Sequence, residues 1–280
     1  MILLLILNIL FLSSDSLLVK EKEVAGFTNA VSMTMDGLGS VYVLDNESNE
    51  IIKFNSSLEE VKRIGRKGWN NSEFDNPTYI DGSSGLDIIV SDGNNYRIQR
   101  FDLKLGYISS LYTNSETFLP EYKFNRPVAT IIVNSNDIYV IDSDNNRVVT
   151  FPRGFAPTTT FGDFRAGKGS LQEPVKILKD SENFLYIFDK KQNAIMKYDN
   201  FGNFIKSIKA DDIKTFSLYN DNLYILNSNG IWLYNTERNA FIEKKIINED
   251  LNLDNITDLL IYNEKTYLVL FKNILILLIS

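Results

Sequence analysis

The sequence predicts an all-β protein, a six-bladed β-propeller of four-stranded antiparallel blades closed by the N-terminal strand of the mature chain. Three observations predict it. A strand-like apolar segment recurs along the 280 residues: VYVLD ending at Asp45, IIVSD at Asp92, IYVID at Asp142, LYIFD at Asp189, LYILN at Asn227 and YLVL at Leu270. The intervals are 47, 50, 47, 38 and 43 residues, the length of one propeller blade. After Leu270 only one more strand, NILILLI at 273–279, fits before the end, so the sixth unit is one strand short while residues 17–24 have no other assignment.

Taken in chain order, Ile2 to Leu12 form an apolar run interrupted by Asn8 and followed by Ser13, Ser14, Asp15 and Ser16. Small residues there suit signal-peptidase cleavage, so residues 1–16 are expected to be a secretory signal and 17–280 a single domain. No Lys or Arg precedes the run, and a buried first strand is the alternative. The run is shorter than the ~20 residues of a spanning helix, so no transmembrane anchor is expected. Lys20, Glu21, Lys22 and Glu23 suit an exposed strand edge, where charge discourages pairing with other chains.

Each recurring segment is β-branched or aromatic throughout, as a strand buried on both faces must be. The turns that follow, DNESNE, DGNNYR, DSDNNR and DKKQNA, are polar. Asp and Asn accept bonds from turn N–H groups and tolerate left-handed geometry, so the chain returns as a hairpin through IIKF, RIQRF, RVVTF and AIMKY. Upstream, Phe74, Phe124 and Leu171 each precede a proline (Pro77, Pro127, Pro174) by three residues. Proline at the first position of a strand loses no ladder bond. The combination FDNPTYI, FNRPVAT and LQEPVKI with its Asp/Asn/Arg hairpin resembles the NHL repeat over about residues 28–200. Units five and six lack the proline and the Asn/Arg turn.

Composition narrows the chemistry. A net charge of −7 argues against a nucleic-acid partner held by phosphate neutralisation. The absence of cysteine excludes disulfides, catalytic thiols and thiolate zinc. With no histidine, imidazole bases, imidazole metal ligands and Ser-His-Asp triads are excluded as well. The enzymes that the fold resembles, amidating lyases and lactonases, generally rely on histidine. No cofactor is therefore expected, neither zinc, flavin nor nicotinamide; calcium held by scattered Asp and Asn at the channel mouth stays open.

Two motifs are decoys. GDFRAGKG at 162–169 matches a phosphate loop up to Gly169, where Ser or Thr is needed, and Pro174 with a strand follows instead of a helix. DSDNN at 142–146 opens like a calcium loop but has Arg147 at the sixth place and Arg153 at the twelfth. Asp87, Asp137 and Asp180 recur just before a second strand, which favours a turn role over paired-carboxylate catalysis.

These exclusions lead to the expectation of a non-catalytic binding module, a monomer outside the cytoplasm. The loops entering the inner strands carry Arg66, Lys67 and Trp69, then Tyr122 and Arg126, then Arg165 and Lys168, and the hairpins add Arg97 and Arg147. A basic and aromatic cluster on an acidic protein suits an acidic protein or an anionic glycan. Arg97 and Arg147 pairing with their own turn aspartates is the competing account of those two. The alternative function is a carboxylate-dependent hydrolase or lyase, with or without calcium, acting at the channel mouth.

Overall fold

The computed structural model describes residues 16–113, 116, 118–134, 136–247 and 251–280. The expected signal falls outside these, apart from Ser16. Strand β1 (Ser16–Ala25) comes first. Four four-stranded antiparallel sheets follow. The first holds β2 (Ala30–Met35), β3 (Val41–Asp45), β4 (Glu50–Phe54) and β5 (Glu60–Gly65); the second holds β6 (Pro77–Asp81), β7 (Asp87–Asp92), β8 (Arg97–Asp102) and β9 (Tyr107–Tyr112). The third holds β10 (Pro127–Val133), β11 (Asp137–Asp142), β12 (Arg147–Phe151) and β13 (Thr159–Phe161); the fourth holds β14 (Pro174–Lys179), β15 (Leu185–Asp189), β16 (Ala194–Tyr198) and β17 (Phe204–Lys209).

The remaining strands are β18 (Thr215–Tyr219), β19 (Asn222–Asn227), β20 (Gly230–Asn235), β21 (Ala240–Ile247), β22 (Ile256–Asn263), β23 (Thr266–Phe271) and β24 (Ile274–Ile279). Together with β1 they form one eight-stranded sheet in the order β18-β19-β20-β21-β1-β24-β23-β22. The expectation of six separate four-stranded blades is corrected here. β1 does take the place expected of it, its residues from Val19 to Ala25 pairing antiparallel with β24, but its first residues, Ser16 to Leu18, also pair parallel with Lys245 to Ile247 of β21. That bridge fuses what the repeat spacing counts as two units into one sheet. Leu18, fully buried, packs on Tyr224, Ile231 and Tyr267 from both halves of it.

The sheet bends so far that its two edge strands, β18 and β22, touch each other. With β2, β6, β10 and β14 they ring a central channel, each in contact with the next. The chain is thus an all-β propeller of four four-stranded blades plus one nearly closed eight-stranded sheet. Its apolar core lies in wedges between sheets rather than at the axis. Tyr42, Leu44 and Ile51 of the first sheet, for example, share one apolar cluster with Ile80 and Val90 of the second and with Phe74 of the loop between the two. This is why β3 and β15 are buried at every position, on both faces.

In each of the four four-stranded sheets a buried aspartate at the end of the second strand holds the loop that enters the first. Asp45, Asp142 and Asp189 accept N–H bonds from Thr28 and Asn29 (2.5 and 3.1 Å), Asn125 (3.1 Å) and Gln172 (2.6 Å) respectively, and Asp92 accepts from Asp75 at 2.8 Å. A buried carboxylate held by backbone donors is stable where an unpaired one is not. Phe74, Phe124 and Leu171 are buried beside them.

Candidate functional site

Five of the six channel strands carry the same irregularity near their start. The register against the next strand skips Val31 in β2, Thr78 in β6, Val128 in β10, Val175 in β14 and Thr257 in β22. A bulged residue is left unpaired and the strand bends, so its side chain and the next can face the same space. Here both layers line one cavity of about 750 Å³ at the channel mouth. The bulged residues make a collar of short β-branched side chains. β18 has no bulge, and Lys214, the residue just before it, lines the mouth there, its N–H donating to Leu226 O at 2.9 Å.

Below the collar lies a polar floor of Ser32, Tyr79, Lys176, Thr215 and Asp258. Lys176 Nζ donates to Phe216 O at 2.6 Å, to Thr215 Oγ1 at 3.3 Å and to Asp258 Oδ1 in direct contact. The ion pair is almost fully enclosed, with side-chain exposures of 10% and 3%. Asp258 Oδ2 accepts the Met33 N–H of β2 at 2.8 Å and Oδ1 accepts the N–H of the next residue in its own strand, Leu259, at 2.9 Å, so both oxygens are held by backbone donors. At the rim, Lys214 sits between Asp212 (3.1 Å) and Asp254 (2.8 Å), which occupies the two acids nearest the mouth. Among the described residues no group of three or more acidic side chains is arranged to hold a metal ion.

Tyr79 closes the floor. Its hydroxyl donates to Ile177 O at 2.8 Å, and Tyr79 and Lys176 also line a second cavity of about 240 Å³ beneath. Burial, with Asp81 and Asp258 nearby, pushes the Tyr79 phenol well above its usual range, so it remains a donor.

None of the nine residues expected from the sequence lines the mouth cavity. Arg97 is 1% exposed and belongs to the fold: it donates to Asp92 (2.8 Å), Trp69 O (2.7 Å), Tyr112 OH (3.0 Å), Asn70 O (3.0 Å) and Glu73 O (2.8 Å). Arg147 likewise donates to Asp142 at 3.4 Å and Lys123 O at 2.7 Å. Arg66 is engaged by Glu73 (2.6 Å), Lys67 by Asp75 (3.9 Å) and Arg165 by Asp163 (2.6 Å). Trp69, Arg126 and Lys168 are exposed and Tyr122 is half-buried. Asp87, Asp137 and Asp180 do serve turns and neighbours: Asp87 pairs with Arg100, Asp137 accepts the Arg153 N–H at 2.8 Å, and Asp180 accepts the Phe184 N–H at 2.8 Å.

Sequence reasoning missed Lys176 and Asp258. The available signal was a charge inside an apolar inner strand. Lys176 stands two residues after Pro174, where the units with Pro77 and Pro127 have Tyr79 and Ala129.

No protein-family model matches the chain. It is 26% identical over 154 residues to a probable peptidyl-alpha-hydroxyglycine alpha-amidating lyase of Caenorhabditis elegans, a match covering 53% of this chain and 44% of that protein. The chain therefore spans less than half the length of the curated relative it matches. Among solved structures it is similar to a streptogramin B lyase (TM-score 0.62, 15% identity, 89% of this chain and 79% of that one). It is also similar to virginiamycin B lyase from Staphylococcus aureus (TM-score 0.62, 12% identity, 92% and 98%). A catalytically inactive histidine-to-alanine variant of that lyase, solved with quinupristin, gives 0.59 at 16% identity over 90% and 80%. These likenesses support the propeller fold, and because the matching proteins are lyases they overturn the expectation of a non-catalytic binding module.

Proposed function

We propose that the chain is a lyase whose reaction takes place on the floor of the mouth cavity. The observation that carries this reading is the enclosed Lys176–Asp258 pair at the closed end of a cavity of about 750 Å³, a size that suits a small or peptide-like ligand. Elimination needs a base for one proton and an acid for the leaving group. Asp258 is the acceptor, held in aim by Met33 and Leu259; Lys176 is the donor, and Thr215 joins the two, donating to Asp258 Oδ1 at 3.4 Å. Because the chain has no histidine, imidazole cannot fill either role. The collar of Val31, Thr78, Val128 and Val175 takes the less polar body of the substrate and keeps water from the pair.

The relative's name supports a substrate derived from a peptide. The proline, buried aspartate and hairpin pattern supports an NHL-type repeat, and the apolar run at 2–12 supports export from the cytoplasm.

The test is incubation of the purified protein with a peptidyl-alpha-hydroxyglycine and, separately, with a streptogramin B, products being weighed by mass spectrometry. Cleavage without addition of water is expected, falling by 10²–10⁴-fold in Asp258→Asn and Lys176→Met proteins that keep the wild-type circular dichroism. Absence of turnover on both, or turnover that survives both substitutions, overturns it.

A further inference from the structure

We propose that the cavity beneath Tyr79 is a binding site for a small aliphatic amino acid, held by its two charged groups, the ammonium on Asp81 and the carboxylate on Lys179. The site opens on the face opposite the mouth and needs no turnover on the floor above it.

The alternation of the channel strands builds it. Side chains two residues apart on a strand face the same side, so the step down from the floor residues Ser32, Tyr79, Lys176, Thr215 and Asp258 leads to Thr34, Asp81, Leu178, Ser217 and Leu260. All five line the cavity of about 240 Å³. Ser83, exposed just after β6, and Lys179, half-buried at the end of β14, lie at its outer end, so a solute enters from that face.

Asp81 and Lys179 select the ligand. Tyr79 donates to Ile177 O across β10, and two residues further along the same two strands stand Asp81 and Lys179. These two line one cavity but form no ion pair among the described residues. Lys179 acts on the Asp81 carboxyl through space, as a smaller influence than burial. Asp81 is 3% exposed and accepts from the Ser83 N–H at 3.3 Å and the Ser83 hydroxyl at 3.1 Å. A carboxylate enclosed without a cation in contact is costly, and an ammonium group brought to it removes that cost.

A bare cation does not suit the cavity, because Lys176 and Lys179 both line it; a molecule that carries both charges does. Its ammonium has three N–H donors. Beside Asp81 the wall offers two further acceptors. Ser217 Oγ makes no hydrogen bond among the described residues, and Thr34 Oγ1 accepts the Gly82 N–H at 2.8 Å with a second lone pair to spare. Leu178, Leu260 and Ile261 supply an apolar wall for an aliphatic side chain. A mostly apolar cavity with a few placed polar groups is the usual make-up of a small-molecule site.

The probe is L-leucine, titrated calorimetrically into the full chain at pH 7.5, where the Asp81 carboxyl, at about 6, is ionised. Two analogues keep the side chain and lose one charge each: 3-methylbutylamine lacks the carboxylate and 4-methylpentanoate lacks the ammonium. L-leucine is expected to bind at least tenfold more tightly than either. Asp81→Asn and Lys179→Met proteins with the wild-type circular dichroism are each expected to lose at least tenfold in affinity for it. Absence of L-leucine binding, equal binding of either analogue, or unchanged binding in the folded variants overturns the proposal. The analogue comparison uses the wild-type protein, so it decides the matter even where a variant does not fold, and because no turnover is read, failure of the lyase reading leaves it standing.

Discussion

Tyr79 reaches over β10 to donate its hydroxyl to the carbonyl of Ile177 at 2.8 Å, joining two channel strands that are not neighbours in the ring. Tyr79 and Lys176 line both the large mouth cavity and the smaller one beneath it and so form the partition between them. Tyr79→Phe keeps the ring and loses the bond, at an expected cost of about 1 kcal/mol. Tyr79→Ala removes the partition and leaves a hole in a packed channel, at about 3–5 kcal/mol. Urea unfolding of the two variants measures both; equal losses would show that the hydroxyl, not the ring, carries the contact.

Asp81 lines the lower chamber, and burial pushes its carboxyl up to about 6 from the usual 3.8, against the bonds it accepts from Ser83. The folded protein therefore holds this proton more tightly than the unfolded chain does. The resulting stabilisation is complete below pH 3.8 and is lost as pH rises through about 6, an effect on the order of 3 kcal/mol. Denaturant melts of wild type and Asp81→Asn between pH 4 and 7.5 give the difference, which is expected to shift in favour of the Asn variant as pH rises. A pH-independent difference would place the titration of Asp81 in the ordinary carboxylate range.

How much of this was legible depends on whether a feature repeats. Pro77, Pro127 and Pro174 with Asp92, Asp142 and Asp189 recur at one phase, because in these three units the inner strand starts at a residue without a donor and a buried carboxylate accepts from the N–H groups of the loop before it. Asp258 was hidden since its unit has no proline to set the phase, and its partner Lys176 is 82 residues away. The fused sheet was hidden for a related reason. Parallel pairing of Ser16–Leu18 with Lys245–Ile247 leaves no local pattern, only two short apolar stretches far apart. The basic residues were legible as a cluster, but the hydrogen bonds that enclose Arg97 come from a loop 24 to 28 residues upstream, whose path no local signal announces.

Arg97 and Arg66 bear on that last point, being alike in charge and opposite in environment. Arg97 is buried against Asp92 and three loop carbonyls, so Arg97→Met leaves Asp92 enclosed without its cation and is expected to destabilise by about 3–5 kcal/mol. Arg66 has a side chain 78% exposed and paired at the surface with Glu73, so Arg66→Ala is expected to cost about 0–1 kcal/mol. Thermal melts at equal pH and salt compare the two. Similar losses would mean that the loop from Arg66 to Asp75 does not close over Arg97 in solution.

β1 is the element on which the eight-stranded sheet depends, because it alone bonds both β21 and β24. Deleting residues 17–24 breaks the sheet into two and uncovers β24, whose sequence ILILLI is apolar at every position. An apolar edge with unpaired N–H and C=O groups is a template for pairing with other chains. It also removes Leu18 from the cluster around Tyr224 and Tyr267. The milder Leu18→Ala keeps the strand and its ladder while creating a cavity, at an expected cost of about 2–5 kcal/mol. The deletion should therefore lower the melting temperature further than Leu18→Ala and, unlike it, produce soluble aggregates in size-exclusion chromatography. A deletion protein that melts like wild type and elutes as a single species would show that the sheet holds without β1, and that the Leu18 contacts are incidental to its closure.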